Sequence, residues 1–253
     1  MAGRPLTRIG HKGADAIVSG NTIASFEAAV EVGVDVIELD VLRPRGDFAI
    51  GSTWRSAPAG PARGSGPLLV AHDWAIAERG DPPSLAAALD AFTRAPLDRV
   101  QIDCDLKVAG REDEVVSALR DHGLIERAMV STMEVRSLVA LREIAPELRR
   151  GWTYPRITRR LDRRWWARPF VLVALAAMRR RLPSFAPERF AELGAERLWV
   201  YNRLVTPRLV QACAAAGVEL YAWTVDELER MRELRDLGVD GIVTNDPRLF
   251  GRL

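Results

Sequence analysis

Two acidic residues on one predicted strand are the first in this sequence whose types and spacing suggest chemistry. The stretch DVIELDV, residues 35–41, is rich in apolar and β-branched residues, as is typical of a strand, yet it carries Glu38 and Asp40. Side chains two residues apart lie on the same face of a strand. Two like charges held side by side are destabilising unless a cation lies between them. The pair therefore predicts a bound positive charge at this position.

Other scarce polar residues also fall where predicted strands end. The chain has 36 basic residues, of which only two are lysines, and it has only three histidines. Both lysines and two of the histidines lie at the ends of short apolar runs, and two aspartates share one face of the run RVQIDCDLK. This second set comprises His11, Lys12, His72, Asp103, Asp105 and Lys107. Their convergence requires a fold that brings the ends of several strands together.

The alternation of strand-like and helical patterns predicts such a fold. Predicted strands lie near residues 6–11, 35–41, 68–72, 99–106, 127–131, 148–153, 197–201, 218–223 and 240–244. Predicted helices lie near residues 22–32, 84–94, 112–121, 134–144, 186–193, 206–216 and 226–236. This alternation favours parallel strands with right-handed crossovers. An α/β TIM barrel of eight strands fits if one run within residues 34–72 extends the sheet instead of forming a barrel strand.

We expect residues 1–253 to form a single barrel domain with two irregular segments. Residues 51–67, GSTWRSAPAGPARGSGP, are rich in Gly, Pro, Ser and Ala and are typical of a long loop. The carboxyl ends of the strands in a TIM barrel meet at one rim, where active sites lie. The fold would therefore gather the scattered polar residues into one site.

The composition bounds the class of protein. The chain is 48% hydrophobic and 28% charged with a formal net charge of +2, which is typical of a soluble globular protein. Two cysteines provide no disulfide framework, and the first residues, MAGRPLTRIG, lack the apolar region of a secretory signal. No run reaches the roughly 18 apolar residues of a membrane span. We therefore expect a cytoplasmic protein and no nucleic-acid partner.

Glu38, Asp40 and Asp105 would offer only carboxylate oxygens to a cation. Such donors suit Mg²⁺ or Ca²⁺, whereas a zinc site would be expected to include cysteine or histidine ligands. Asp103 is an alternative third ligand. The competing interpretation is that Glu38 and Asp40 pair with arginines in an ion-pair network, which would leave the two histidines unexplained.

Several blocks of the sequence resemble the glycerophosphodiester phosphodiesterases. The blocks are GHKG (10–13), GNTIASFEAAVEVGVDVIELDV (20–41), VAHD (70–73), DLK (105–107) and WTVDELERMRELRDLGVDGIVTNDP (223–247). The resemblance extends over roughly residues 6–248. It implies a TIM barrel that hydrolyses phosphodiesters with a divalent metal and a pair of histidines.

The resemblance also implies roles for individual residues. The acid/base pair would be His11 and His72. The metal ligands would be Glu38, Asp40 and Asp105. The groups that contact the phosphate or the rest of the substrate would be Lys12, Lys107, Asn21 and Trp223. Among these, Trp223 would pack on the alcohol portion of the substrate.

The sequence departs from the family pattern in four places. Lys12 replaces an arginine, so the phosphate would meet a point charge instead of a bidentate fork. Gly20 replaces the glutamate of the family's Glu-Asn-Thr turn, and Asp105 replaces a glutamate, as in the related sphingomyelinase D branch. The small capping insertion after the second histidine is missing, because only about a dozen residues separate His72 from the next predicted helix. An uncapped mouth favours bulky or lipid-borne phosphodiesters.

Three functions are compatible with these features. The first is metal-dependent hydrolysis of glycerophosphodiesters or lysophospholipids. The second is a sphingomyelinase D-like reaction that forms a cyclic phosphate, which Asp105 and the missing cap favour. The third is a non-catalytic barrel that binds phosphate-bearing ligands or membranes.

A basic segment suggests a second kind of partner. Residues 149–181 contain eleven arginines and one acid, Asp162, and enclose the apolar run WWARPFVLVALAAM. Such a combination is typical of a surface element that contacts anionic lipid. In that case the protein would associate peripherally with a membrane through residues 149–181. The alternative is a barrel helix whose apolar face is part of the core.

Overall fold

A computed structural model describes residues 5–43, 66–156 and 168–253. Most of the predicted loop at 51–67 lies outside these residues, as do residues 157–167 of the basic segment with Trp165 and Trp166. That residues 1–253 form one domain stays a prediction. No helix in the described part of the chain combines the length and apolarity needed to span a bilayer.

Eight parallel strands close into a barrel, which confirms the predicted TIM fold. They are β1 (Thr7–His11), β2 (Val36–Leu42), β4 (Gln101–Leu106), β5 (Ala128–Thr132), β6 (Arg149–Tyr154), β7 (Arg197–Tyr201), β8 (Glu219–Trp223) and β9 (Gly241–Thr244). Each pairs in parallel with the next, and β1 pairs with both β2 and β9, which closes the ring.

The run predicted at 68–72 extends the sheet and does not join the barrel. Its strand β3 (Leu69–Val70) is antiparallel to the end of β2, with Val70 opposite Val41. The backbone N–H of Ala71 donates to the carbonyl of Asp40 at 3.1 Å. This short arm therefore fixes His72, two residues beyond its end, near the carboxyl end of β2.

Eight helices accompany the strands in the described part of the chain. They are α1 (Ile23–Val32), α2 (Trp74–Arg79), α3 (Leu85–Phe92), α4 (Glu112–Asp121), α5 (Val135–Ile144), α6 (Arg168–Leu193), α7 (Pro207–Ala216) and α8 (Leu228–Leu237). Between His72 and α3 the chain forms only the six-residue helix α2, so the predicted lack of a capping insertion there is confirmed. The side chain of Asp73 caps α2 by accepting from the N–H of Ile76.

Helix α6 begins far earlier than the predicted start at residue 186. Pro183 and Pro187 lie inside it, and prolines usually interrupt a helix because they lack a backbone N–H. Packing outweighs this cost, because Leu182, Ala186 and Phe190 bury one continuous face across both prolines. Tertiary contacts of this kind are not visible in local sequence preferences.

Apolar side chains fill the space inside the barrel as well as the layer between strands and helices. The inner cluster is small and consists of Ile9, Val36, Met129, Trp199, Tyr221 and Val243, with Trp223 packed against it. The rings of Trp199 and Tyr221 meet edge to face, with centroids 5.1 Å apart. This packed floor supports the polar residues above it.

Gly151 on β6 leaves room for the ring of Trp199 in the inner cluster because it has no side chain. This observation leads to a prediction about stability. A Cβ atom at residue 151 would lie 2.4 Å from Nε1 of the buried Trp199. We therefore expect Gly151→Ala to lower the free energy of unfolding by about 1–3 kcal/mol, measured by urea titration. Gly251→Ala is the matched control, since no atom lies within 4 Å of its Cβ position. Equal stability of the two variants would contradict this account of the floor.

Candidate active site

The carboxyl ends of the first strands bring the predicted polar residues to one rim. His11 ends β1, Glu38 and Asp40 lie near the end of β2, and Asp105 lies near the end of β4. The strand register places His11 beside Glu38 and Asp40 beside Asp105. Parallel pairing with alternating side chains therefore assembles groups that are distant in sequence.

Glu38, Asp40 and Asp105 form a buried carboxylate cluster. One oxygen from each residue lies within 4.8 Å of the oxygens of the other two. Asp103 is not part of this cluster; it accepts a hydrogen bond from the Ser131 hydroxyl at 2.7 Å deeper in the barrel. Of the two candidates for a third ligand, Asp105 is thus the one that faces Glu38 and Asp40.

Lys107 supplies the nearest positive charge to this cluster. Its ammonium group contacts carboxylate oxygens of both Asp40 and Asp105. The sequence predicts that this lysine contacts phosphate; in the structure its partly buried ammonium is compensated by the two carboxylates. Within the described residues, no arginine forms an ion pair with Glu38, Asp40 or Asp105.

The charges of the cluster are not balanced by Lys107 alone. Burial raises the pKa of Glu38 well above its usual range, and the neighbouring charge of Asp40 raises it further. Burial also acts to raise the pKa of Asp40, but Lys107 and the two histidines outweigh it and lower that pKa. Burial acts to lower the pKa of Lys107, yet the charges of Asp105 and Asp40 raise it well above its usual value. The site therefore has excess negative charge.

Asn21 fixes the orientation of Asp40. Its side-chain amide donates to Asp40 Oδ2 at 2.7 Å, and its amide oxygen accepts from the backbone N–H of Asp40 at 3.1 Å. Asn21 is buried and has a left-handed φ of 60°, a conformation that asparagine tolerates better than most residues. Both ends of the amide are thus occupied by Asp40, and Oδ1 of Asp40 faces the Lys107 ammonium.

His11 is held by two residues from the last βα turns. Its Nδ1 lies 2.6 Å from Oδ1 of Asn245, and the amide nitrogen of Asn245 donates to Asp226 Oδ2 at 2.7 Å. Asp226 Oδ1 also accepts from the backbone N–H of Asn245 at 2.9 Å. The other ring nitrogen of His11, Nε2, lies 3.9 Å from Glu38 Oε2.

The mouth of the barrel contains an open cleft of about 460 Å³. Its lining includes both predicted catalytic histidines and several polar neighbours: His11, Lys12, Asp15, His72, Asp73, Ile76 and Asn245. His72 is one-third exposed, and its Nδ1 lies 3.5 Å from Asp73 Oδ2. Burial lowers the pKa of both His11 and His72, although the charge of Asp40 opposes the effect.

Comparison with known proteins places this chain in a family. The glycerophosphoryl diester phosphodiesterase family model matches residues 11–45 and 93–249. The chain belongs to this family. The predicted resemblance is thereby confirmed, as is the prediction that the chain is an enzyme of this class.

Relatives of the glycerophosphoryl diester phosphodiesterase family match almost the whole chain. The glycerophosphodiester phosphodiesterase of Caldanaerobacter subterraneus subsp. tengcongensis is 24% identical and covers 94% of this chain and 93% of its own length. The probable glycerophosphodiester phosphodiesterase 2 of Mycobacterium tuberculosis is 29% identical over 89% of this chain and 81% of its own length.

A solved structure supports the fold independently. A phosphodiesterase of Oleispira antarctica, in complex with the product sn-glycerol-3-phosphate, has a TM-score of 0.71 with this chain. It is 19% identical and covers 98% of this chain and 96% of its own. At that level of identity the match shows the shared barrel alone.

Asp15 is an acidic residue beside Gly20 that sequence reasoning missed. A Cβ atom at Gly20 would lie 2.5 Å from Asp15 Oδ1, so the Asp15 carboxylate occupies the space of a residue-20 side chain. Asp15 Oδ2 pairs with the Lys12 ammonium at 2.5 Å. The exchange of glutamate for Gly20 thus coincides with an acidic group supplied from Asp15 on the preceding turn.

Asn245 and Asp226 were also missed, although the sequence carries a signal for them. Both belong to the closing block WTVDELERMRELRDLGVDGIVTNDP, and each follows the end of a strand. Trp223, in the same block, ends β8 and packs against Tyr201 with ring centroids 5.7 Å apart. It is not among the residues that line the cleft.

Proposed function

We propose that this enzyme hydrolyses glycerophosphodiesters or lysophospholipids and releases the alcohol, with a divalent cation held by Glu38, Asp40 and Asp105. The observation that supports this proposal best is the position of the carboxylate cluster beside a cleft lined by His11 and His72. A phosphodiester in that cleft would meet a cation site and two imidazoles at once.

The carboxylate cluster fits a hard divalent cation, Mg²⁺ or Ca²⁺. All three candidate ligands offer oxygen, and the buried Asp40 Oδ1 is contacted by the Lys107 ammonium but is otherwise without a hydrogen-bond donor among the described residues. The raised pKa of Glu38 means that its ionised form needs more positive charge than Lys107 provides. When bound, a divalent ion would neutralise charge on the non-bridging oxygens of the phosphodiester and on its transition state.

Lys12 and Lys107 would hold the phosphate group. The Lys12 ammonium lies at the cleft and is held by Asp15, so its position is defined before substrate arrives. The Lys107 ammonium contacts Asp40 and Asp105, from where it would turn toward the substrate when another cation satisfies these carboxylates. The preformed charge of Lys12 would stabilise the transition state without reorganisation.

The hydrogen bonds of His11 favour it as the general base. Asn245 donates its amide N–H groups toward Asp226, so its Oδ1 faces His11 as an acceptor. An acceptor at Nδ1 requires that this nitrogen carries the proton, which leaves the lone pair of Nε2 free to accept another. In the proposed reaction Nε2 takes the proton of the attacking oxygen, and the P–O bond to the alcohol breaks.

His72 would then act as the general acid. It lines the same cleft two residues beyond the end of β3, and Asp73 Oδ2 approaches its Nδ1 at 3.5 Å. Burial lowers the pKa of His72, and the contact with Asp73 opposes that shift in favour of the protonated ring that a proton donor requires. His72 would give its proton to the departing alkoxide, so that the alcohol leaves neutral and the proton balance closes over one turnover.

The open mouth suits large alcohols. The segment after His72 forms only helix α2, so no capping insertion from it covers the cleft. Trp223, whose ring is tilted against that of Tyr201 at the end of β8, would contact the alcohol portion of a lysophospholipid where it extends beyond the cleft lining. Cyclic phosphate formation is the second candidate, which Asp105 favours because this shorter residue replaces the family's glutamate. The two reactions give different phosphorus products.

A substrate panel tests the proposed function. The purified full chain is assayed with glycerophosphocholine, glycerophosphoethanolamine and a lysophosphatidylcholine, each with Mg²⁺, Ca²⁺ or EDTA. We expect alcohol release in the presence of a divalent cation and none in EDTA. Phosphorus NMR of the product distinguishes a phosphate monoester from a cyclic phosphate. Hydrolysis that continues unchanged in EDTA would overturn the metal site, and no hydrolysis of any substrate would overturn the proposed reaction.

Asn245 offers a test of the His11 assignment. We expect Asn245→Ala to lower kcat by about 10- to 100-fold with a small change in KM, because the Nδ1 proton and ring orientation of His11 are no longer fixed. Nitrogen-15 NMR of the imidazole would report a mixture of tautomers in the variant and one tautomer in the wild type. Asp236→Asn on the exposed end of α8 is the control. An unchanged tautomer with reduced activity would mean that Asn245 acts in some other way.

A further inference from the structure

Helix α6 is much longer than the barrel wall requires. It has 26 residues, whereas α1, α4, α5, α7 and α8 have 10 each. At about 1.5 Å per residue, ten residues span about 15 Å and α6 spans about 39 Å. Its buried side chains are Leu182, Pro183, Ala186, Phe190 and Leu193, all in the second half. Residues 168–181 are therefore not needed to cover the strands.

This extra length lies on the side of the catalytic mouth. Helix α6 follows β6 and leads to β7, so it runs from the carboxyl edge of the barrel back to the amino edge, and its first residues lie toward the carboxyl edge. Leu175 and Met178 pack against the same apolar cluster as Tyr154 and Tyr201. These two tyrosines end β6 and β7 at the carboxyl edge.

The outer surface of this segment, here called the α6 surface, is apolar and then basic. Residues 169–178, PFVLVALAAM, contain no charge, and Phe170, Leu172 and Val173 are 72%, 60% and 70% exposed. The next three residues, Arg179–Arg181, are all exposed. None of these three guanidinium groups forms an ion pair or a hydrogen bond with another side chain in the described part of the chain.

We infer that the α6 surface docks the protein on an anionic lipid bilayer. Exposed apolar side chains beside unpaired arginines match the two layers of a membrane interface, in which acyl chains lie below phosphate groups. In a symmetric contact with a second copy of the chain, the arginine triplet would meet either the partner's triplet or its apolar residues 169–178, and neither supplies a compensating acid. Docking through α6 would present the cleft to lipid-borne phosphodiesters, and this consequence rests on the proposed function, whereas lipid binding does not.

Vesicle co-sedimentation of the full chain tests this inference. The probes are vesicles of phosphatidylcholine alone and vesicles of phosphatidylcholine with about 30 mol% phosphatidylglycerol, which have an anionic surface. We expect binding to the anionic vesicles that weakens as salt is raised. The triple variant Arg179→Gln/Arg180→Gln/Arg181→Gln should bind about 100-fold more weakly, at roughly fivefold per arginine. The variant Phe170→Ser/Leu172→Ser/Val173→Ser should lose binding by more than about tenfold.

A matched control and two opposing outcomes make the test decisive. The control is Val32→Ser/Val139→Ser, which removes exposed apolar side chains elsewhere, and it should bind as the wild type does. Equal vesicle binding by all variants, or no binding to anionic vesicles, would overturn the inference. Dimerisation in lipid-free ultracentrifugation that the Phe170 variant abolishes would assign the surface to a second copy. Turnover of a soluble glycerophosphodiester, measured in parallel, reports on the proposed reaction separately and should be the same in every variant.

Discussion

Replacement of either His11 or His72 by alanine should lower kcat by a factor of about 100 or more while the barrel stays folded. Each imidazole lies at the surface of the cleft, and neither belongs to the apolar clusters that hold the barrel together. The two losses should differ in their dependence on the leaving group. A p-nitrophenyl phosphodiester releases an anion that needs no proton, so His72→Ala should regain most of its activity on that substrate. His11→Ala should not, because the attacking oxygen still needs a base.

His122→Ala provides the control for the histidine experiment. His122 ends α4, where its Nδ1 lies 2.7 Å from the carbonyl of Ala118, and it is remote from the cleft lining. Its removal should leave kcat unchanged on both substrates. If His11→Ala were the variant rescued by the activated leaving group, the two roles would be exchanged. Near-wild-type turnover of either cleft variant on natural substrates would refute the histidine pair.

Glu38→Gln should have two opposite effects on stability, one without and one with a divalent cation. The pKa of Glu38 is raised in the folded protein by burial and by Asp40. A carboxyl group with a raised folded pKa costs stability as the pH rises above its ordinary range, because the folded state resists the loss of its proton. At pH 8 without metal, Glu38→Gln should therefore have a higher Tm than the wild type.

Addition of Mg²⁺ or Ca²⁺ should reverse that order. The wild type should gain about 2.7 kcal/mol when the ion is at 100 times its dissociation constant, and Glu38→Gln should gain much less. Calorimetric titration measures the affinity directly, and kcat of the variant should fall by at least about 100-fold. Tm and ion binding are measured without substrate, so this test does not depend on catalytic activity.

Asp103→Asn is the matched control for the metal experiment. Asp103 is as deeply buried as the ligand candidates and lies on the same strand as Asp105, but it bonds to Ser131 and stands outside the carboxylate cluster. Its variant should bind the ion as the wild type does. If Asp103→Asn abolished ion binding and Asp105→Asn did not, the assignment of the third ligand would be wrong.

The parts of the fold that depend on short-range pattern could be predicted from the sequence. The strand that carries Glu38 and Asp40 was placed within one residue, because alternation and β-branched residues define it locally. Gly33 ends α1 with a left-handed φ of 94°, as its position after an apolar helical pattern indicates. The convergence of His11, His72 and the acids followed from parallel topology, which requires only that strands and helices alternate.

The parts that depend on long-range contacts could not be predicted. The hydrogen bond between His11 and Asn245 joins residues 234 positions apart, and no local pattern specifies it. The early start of α6 could not be predicted, because its two prolines indicate an interrupted helix and the packing that stabilises it is not visible in the sequence. The ion pairs that Lys107 forms with Asp40 and Asp105 depend on which charges surround it in the folded protein. The sequence predicts a contact with phosphate for this lysine but does not predict these two partners.

The catalytic residues fall into two groups, those on barrel strands and His72, which follows the two-residue strand β3 at the edge of the sheet. His11 and the three acids of the cluster lie on barrel strands, and displacing one of these strands would open the ring. His72 is held only through the short antiparallel pairing of β3 with the end of β2. The residues that follow His72 and Asp73, from 74 to 82, could therefore be exchanged for those of another sequence with little disturbance to the ring. Selection for a new leaving group could therefore change these residues while the barrel strands stay the same, so that substrate preference diversifies without a change of fold.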